Sequence, residues 1–223
     1  FELHYNLSAG HSFLPEEKLV GATALLLSVD SSSVQDGIHR LIEAERLVRN
    51  ELAGITVIYL PELYEAEAYT AIRLLEFGKK HFPLPGNWRS LLRQAEQDSG
   101  ITYSEQQKQA MEDALCSGLL LITGGPGTGK TTLVKGIISM FEMQADVVSL
   151  CAPTGRAAKR LSELSGKNAK TIHRLLEVVP GTKNDIKFQR NQDNPIPCDV
   201  LIVDECSMVD IVLFSQLITA VKD

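Results

Sequence analysis

Aromatic residues are scarce in this sequence: seven Phe, five Tyr and one Trp, 6% of 223 residues. The single Trp88 is expected as a packing anchor, since a groove that stacks successive bases needs several aromatic platforms. Cysteine is thin as well. Cys116, Cys151, Cys198 and Cys206 show no Cys-x-x-Cys spacing and no partner at a metal-ligand interval. That excludes a zinc site built on paired cysteines and points to buried free thiols in a reducing cytoplasm. Long apolar runs are missing too, for Leu119–Ile122 and Leu201–Val203 fall far short of the ~20 residues of a membrane-spanning helix. No succession of basic, apolar and small residues marks a targeting peptide, and the chain opens on Phe1 rather than Met, so it reads as an excised piece of a soluble protein. Net positive charge is absent: 22 Lys and Arg against 28 Asp and Glu give −6, which argues against coating nucleic acid by bulk electrostatics. Internal repeats and low-complexity segments are also lacking.

The 44% of hydrophobic residues suffices for one large core or two smaller ones without disulfides or metals. Charge divides the chain. Before about residue 80, acidic residues from Glu16 and Glu17 to Glu67 and Glu76 outnumber Lys and Arg. Between Arg156 and Arg190, nine basic residues, Lys183 among them, face Glu163, Glu177 and Asp185, a local charge of +6 that would draw a phosphate backbone first.

The acidic half predicts a helix over 15–28 with Pro15 at its first position. A second, N-capped by Ser31–Ser33, reaches Glu45. Residues 46–50 and 55–60 predict a hairpin around Ala53-Gly54, and helix resumes from Leu63 to Lys79. Helix, helix, hairpin, helix over residues 1–80 resembles a winged-helix or helix-turn-helix module. Its would-be recognition helix offers His39 and Arg40 among Asp36, Glu43 and Glu45, so a scaffold or protein-contact role is expected. Residues 81–100 carry Pro83, Pro85 and Gly86 before a short helical run at Trp88, Leu91 and Leu92, and read as a linker.

The apolar stretch Leu119–Thr123, expected as a strand, runs into Gly124-Gly125-Pro126-Gly127-Thr128-Gly129-Lys130-Thr131, with helix expected from Thr132 to about Glu142. This is G-x-x-x-x-G-K-[ST] in a strand-to-helix context. Glycines let backbone N–H groups wrap phosphates, the helix N-terminus adds its positive end, Lys130 reaches the β- and γ-phosphates of ATP, and the Thr131 hydroxyl ligates Mg²⁺. A second apolar strand, Val200–Val203, ends in Asp204-Glu205: one carboxylate for Mg²⁺ and one to orient and deprotonate water. Ser104 and Gln107 form a predicted capping box. After the strand 147–150, Pro153-Thr154-Gly155 opens a helix whose first turns carry Arg156, Lys159 and Arg160. Cations at a helix N-terminus oppose the dipole, so an external anion is expected there.

Together these segments resemble the superfamily 1 helicases, specifically the RecD-like ATP-dependent DNA helicases. Gln107-x-x-Ala110 is similar to the family's Q motif, the glycine-rich loop with Lys130, Thr131 and Thr132 to motif I, Cys151–Leu161 to motif Ia, Thr171–Leu176 to the next DNA-side motif, and Asp204–Met208 to motif II. Cys206 stands where the family usually has alanine. The resemblance implies that Gln107 reads adenine and that Gly125, Gly127, Thr128, Gly129, Lys130, Thr131 and Thr132 hold the nucleotide. It implies Thr131 and Asp204 on Mg²⁺, and Lys130, Asp204 and Glu205 as the catalytic set. Pro153, Thr154, Gly155, Arg156, His173 and Arg174 would meet single-stranded DNA, although a lone His on a short apolar helix is also ordinary packing.

The fold class so implied is α/β, an incomplete P-loop NTPase (RecA-like) parallel sheet over 101–223 behind the winged-helix-like module. The expected function is ATP-driven 5′-to-3′ movement on DNA. A second RecA-like domain would supply the arginine fingers, leaving residues 1–223 with weak binding of ATP or ADP. A non-translocating switch or clamp-loading ATPase shares the P-loop and the Asp-Glu pair, and an adaptor built on the acidic module and a relaxase-linked motor stay open.

Overall fold

The computed structural model describes residues 1–7, 10–125, 127–179 and 187–222. The first elements are α1 (Glu2–Leu7), β1 (Phe13–Pro15), α2 (Glu16–Leu27), α3 (Ser31–Glu43), β2 (Val48–Leu52), β3 (Ile55–Tyr59) and α4 (Pro61–Lys79). There follow α5 (Trp88–Ser99), α6 (Glu105–Cys116), α7 (Lys130–Met143), β4 (Val148–Ala152), α8 (Gly155–Ser165), β5 (Ala169–Thr171) and α9 (Ile172–Leu175). The last are β6 (Val178–Val179), β7 (Lys187–Phe188), β8 (Val200–Val203) and α10 (Ile211–Thr219). Two compact units result, Phe1–Ala71 with Asp210–Ser215, and Ile72–Val209 with the stretch from Gln216 onward.

In the first unit β3 is the middle strand of an antiparallel sheet ordered β1-β3-β2. Its Ile58 faces Leu19, Val20, Val34 and Ile38 of α2 and α3, while Val57 and Tyr59 pack with Leu63. The β2–β3 turn is the two-residue Ala53-Gly54, at φ 50 and 79, the double positive φ that matches the twist of a tight hairpin. Three expectations need correction. Pro15 ends a strand instead of opening a helix, because its ψ of 134 is extended and β1 pairs with β3. Asp30, not Ser31–Ser33, caps α3: its carboxylate accepts the Ser33 N–H at 2.8 Å and the Ser33 hydroxyl at 2.9 Å. Finally, α4 starts at Pro61, two residues before the expected helix.

In the second unit β5-β4-β8 form a parallel sheet. Helices α7 and α8 meet it through Ile138, Leu150 and Leu161. Residues 81–100, expected as a linker, contain the 12-residue α5, whose Leu91, Leu92 and Ala95 are buried with Tyr103, Met111, Leu133, Ile137 and Met140. Each such large apolar side chain contributes roughly 1.5–3 kcal/mol. Trp88 packs on this cluster, as an anchor should.

The strand expected at 119–123 does not form. Leu121 is 79% exposed, and the described neighbour of β8 is β4 alone. Apolar composition favours an extended chain, but a strand exists only where a neighbour completes its ladder.

Candidate functional site

The glycine-rich loop uses backbone conformations that glycine adopts freely. Gly127 and Gly129 stand at φ 76 and 79, and a Cβ on Gly124 would lie 2.8 Å from Thr128 Oγ1. The Thr128 hydroxyl donates to Gly125 O at 2.9 Å. Lys130 Nζ donates to the carbonyls of Gly124 and Gly125, folding its ammonium over the loop where a β- or γ-phosphate would compete for it. Helix α7 begins directly after Gly129 with no side-chain cap, so its first N–H groups face outward, with Lys130, Thr131 and Thr132 in that first turn. Pro126 of this loop, and Lys183 and Asp185 of the basic segment, lie outside the described residues.

The parallel register decides which segments share an edge. Ala152 pairs with Thr171, and Cys151 with Val203, so the loops after β4, β5 and β8 leave the same end of the sheet. Pro153–Arg156, Thr171–Arg174 and Asp204–Glu205 therefore line one rim, the place where open parallel sheets bind ligands. Asp204 N–H donates to Cys151 O at 2.9 Å, fixing the loop to β4, and Asp204 Oδ1 accepts the Glu205 N–H at 3.0 Å. Glu205 lies at φ 53, ψ 38, a left-handed conformation rare for a side chain that is not Gly, Asn or Asp.

Among the described residues, no hydrogen bond or ion pair joins Lys130 or Thr131 to Asp204 or Glu205. What links the two loops is the core beneath them. Ile202 of β8 and Ile122, just before the glycine loop, pack on the same cluster as Leu133 and Ile137 of α7. Gln107 also reaches the loop: its side-chain amide donates to Gly129 O at 3.5 Å.

At the basic rim Thr154 caps α8, its oxygen accepting the Ala157 N–H at 3.2 Å, which leaves its O–H free to donate. Arg156, Lys159, Arg160, Lys170, Arg174 and Lys187 are exposed. The local charge is less available than its sum suggests. Arg190 is held by Glu177 at 2.8 Å, Lys167 by Glu142 at 2.8 Å and Lys159 by Glu163 at 3.9 Å. Arg156, Arg160 and Arg174 make no ion pair among the described residues. His173 is half-buried with its ring centroid 6.1 Å from that of Phe188. Sequence reasoning passed over Phe188, because its partner lies on a separate element.

Of the four thiols, expected to be buried, only Cys151 is fully so, and burial, reinforced by Cys198 and Cys206, pushes it up to about 12. Cys116 and Cys198 are half-buried, and Cys206, in the turn after Glu205, is exposed. No helix among the described residues is long and apolar enough to cross a membrane.

The family described as AAA domain matches residues 107–223. The chain is 33% identical over 231 residues to the ATP-dependent RecD2 DNA helicase of Deinococcus radiodurans, covering 96% of this chain and 30% of that protein. It is 38% identical over 141 residues to the RecBCD enzyme subunit RecD of Mycolicibacterium smegmatis, covering 53% and 25%. Against the ATP-dependent DNA helicase dda of Enterobacteria phage T4 it is 44% identical over 103 residues, covering 45% and 24%. The chain thus spans less than a third of the length of these relatives. With its glycine loop and parallel sheet it belongs to the AAA domain family and is, within it, a RecD-like sequence of the superfamily 1 helicase type.

Proposed function

We propose that this chain carries the Mg·ATP site and part of the DNA track of a RecD-like DNA helicase, coupling ATP hydrolysis to 5′-to-3′ movement along single-stranded DNA in the cytoplasm. The observation that carries this reading is the shared rim. One sheet end holds Asp204 and Glu205 beside the basic loops at 153–156 and 171–174, so ATP chemistry and a phosphodiester backbone would meet on adjacent loops of one rigid element. The polarity rests on the resemblance alone.

The residues fit the nucleotide. Positive-φ glycines leave the loop open to phosphates, the uncapped start of α7 presents N–H donors, and Lys130 needs only to exchange two carbonyls for phosphate oxygens. Among the described residues no three His, Cys, Asp or Glu side chains cluster into a metal cage. Mg²⁺ is held by one or two protein groups plus phosphates and water, and Thr131 and Asp204 would be those groups here. Bound Mg²⁺ would neutralise charge on the phosphates. Glu205 would accept the proton of the attacking water, and Gln107 would read the adenine edge. Thr154, Gly155 and Arg156 would hold a backbone phosphate, with Pro153, His173 and Arg174 flanking it. We propose a scaffold or protein-contact role for the acidic, winged-helix-like residues 1–80.

Calorimetry tests the site. Lys130→Ala should weaken Mg·ATP binding by roughly tenfold or more, the worth of one charge-assisted contact, with an unchanged melting temperature. Unaltered affinity would remove the basis of the nucleotide reading.

A further inference from the structure

Gln107 makes more contacts than base reading requires. Its side-chain oxygen accepts the Ser104 N–H at 3.0 Å, and its backbone N–H donates to Ser104 Oγ at 3.3 Å, closing the capping box of α6. The same side chain turns its NH₂ group to Gly129 O at 3.5 Å. Gly129 is the hinge between phosphate loop and helix: its φ is 79, and its carbonyl also accepts the first bond of α7, from Leu133 N–H at 3.0 Å. The approach is close enough that a Cβ on Gly129 would lie 2.7 Å from Gln107 Nε2. Beneath this contact α6 and α7 are locked together, for Met111 and Leu115 are buried with Leu133, Ile137 and Met140. The amide therefore bridges two rigid elements at the point where the loop becomes helix.

An amide has two N–H donors and two acceptor lone pairs. One of each is spent on Gly129 and Ser104. The remaining pair still suffices for the donor and acceptor of an adenine edge, so the two tasks are compatible.

We infer that Gln107 is a positioning residue for the phosphate loop, acting whether or not a base is present, by tying Gly129 to the capped start of α6. The inference rests on the nucleotide reading above, and a base-free probe separates the two. Calorimetry on the 223-residue chain would compare Mg·ATP with Mg-tripolyphosphate for wild type, Gln107→Met and Ser104→Ala. Gln107→Met should weaken tripolyphosphate binding about fivefold, the worth of one ordinary hydrogen bond. Ser104→Ala, which leaves the amide on Gly129, should stay within about twofold. If Gln107→Met lost ATP affinity but bound tripolyphosphate like wild type, the residue would be a base reader alone and the inference overturned. If wild type bound neither, the nucleotide reading itself would fall and take the inference with it. Should Gln107→Met not fold, Gln107→Glu keeps the capping acceptor while losing the donor to Gly129. Hydrogen exchange in its ligand-free form should then show about fivefold less protection of the Leu133 amide, whose acceptor is Gly129 O, and unchanged protection would likewise overturn the inference.

Discussion

Glu205 shows backbone strain at the scale of one residue. Its φ of 53 belongs to the left-handed region, which costs a side-chain-bearing residue about 1–2 kcal/mol and which glycine visits freely. Asp204 helps to hold it there by accepting its N–H. Such strain at a carboxylate proposed to handle the attacking water is the pattern of a site kept for chemistry. Glu205→Gly should therefore raise stability by about 1 kcal/mol in thermal melts while removing the carboxylate proposed to accept the proton of the attacking water. A lowered melting temperature would show the conformation to be unstrained. Nothing in the sequence foretold this torsion, because Asp-Glu at a strand end fixes the residue types and leaves open how the chain turns away from β8.

Among the elements, α3 and the α6–α7 pair show two ways of being held. Asp30 caps α3, and hydrogen bonds from Ser32 and Ser33 hold its carboxyl well below the usual carboxylate range. A depressed folded-state value means stability present above the unfolded value and lost as acid titrates the cap. The wild type should therefore lose melting temperature from about pH 4 downward more steeply than Asp30→Asn, which caps without ionising. Parallel curves would deny the cap its charge. In the α6–α7 pair closeness depends on Gly136, where a Cβ would meet Tyr103 Oη at 2.6 Å and Met111 Cε at 2.7 Å. Gly136→Ala should cost about 1–3 kcal/mol through overpacking, read by denaturant melts, despite the better helix propensity of alanine. Whereas α1, with 6 residues, is too short to carry a period, the hairpin and helices α2 and α3 were legible because periodicity and turn residues are local signals. The strand β1 was not, since three residues carry no period and its pairing with β3 is a long-range event.

For the whole molecule the net charge of −6 says little about the rim loops at 153–156 and 171–174, where Arg156 and Arg174 are exposed. Arg156, Arg160 and Arg174, like Lys170 and Lys187, make no ion pair among the described residues, whereas Arg190 is spent on Glu177. Binding of a single-stranded oligonucleotide should weaken with salt. Arg156→Ala should weaken it about equally for every sequence and reduce the log-log salt slope by about 0.7, the share of one phosphate contact on a single strand. An unchanged slope would move the DNA track elsewhere.

The sequence by itself determined the candidate chemistry: a glycine-rich loop, a lysine and a threonine at the start of a helix, a carboxylate pair after an apolar strand, and a capping box, all set by residues within a few positions of one another. Tertiary structure alone decided that 119–123 stays unpaired, that the loops after β4, β5 and β8 share one rim, and that Gln107 reaches Gly129. The reason is physical. Local patterns report the torsions and faces a segment prefers, but a ladder, a rim and a contact across 22 positions exist only once a common core has fixed which segments become neighbours.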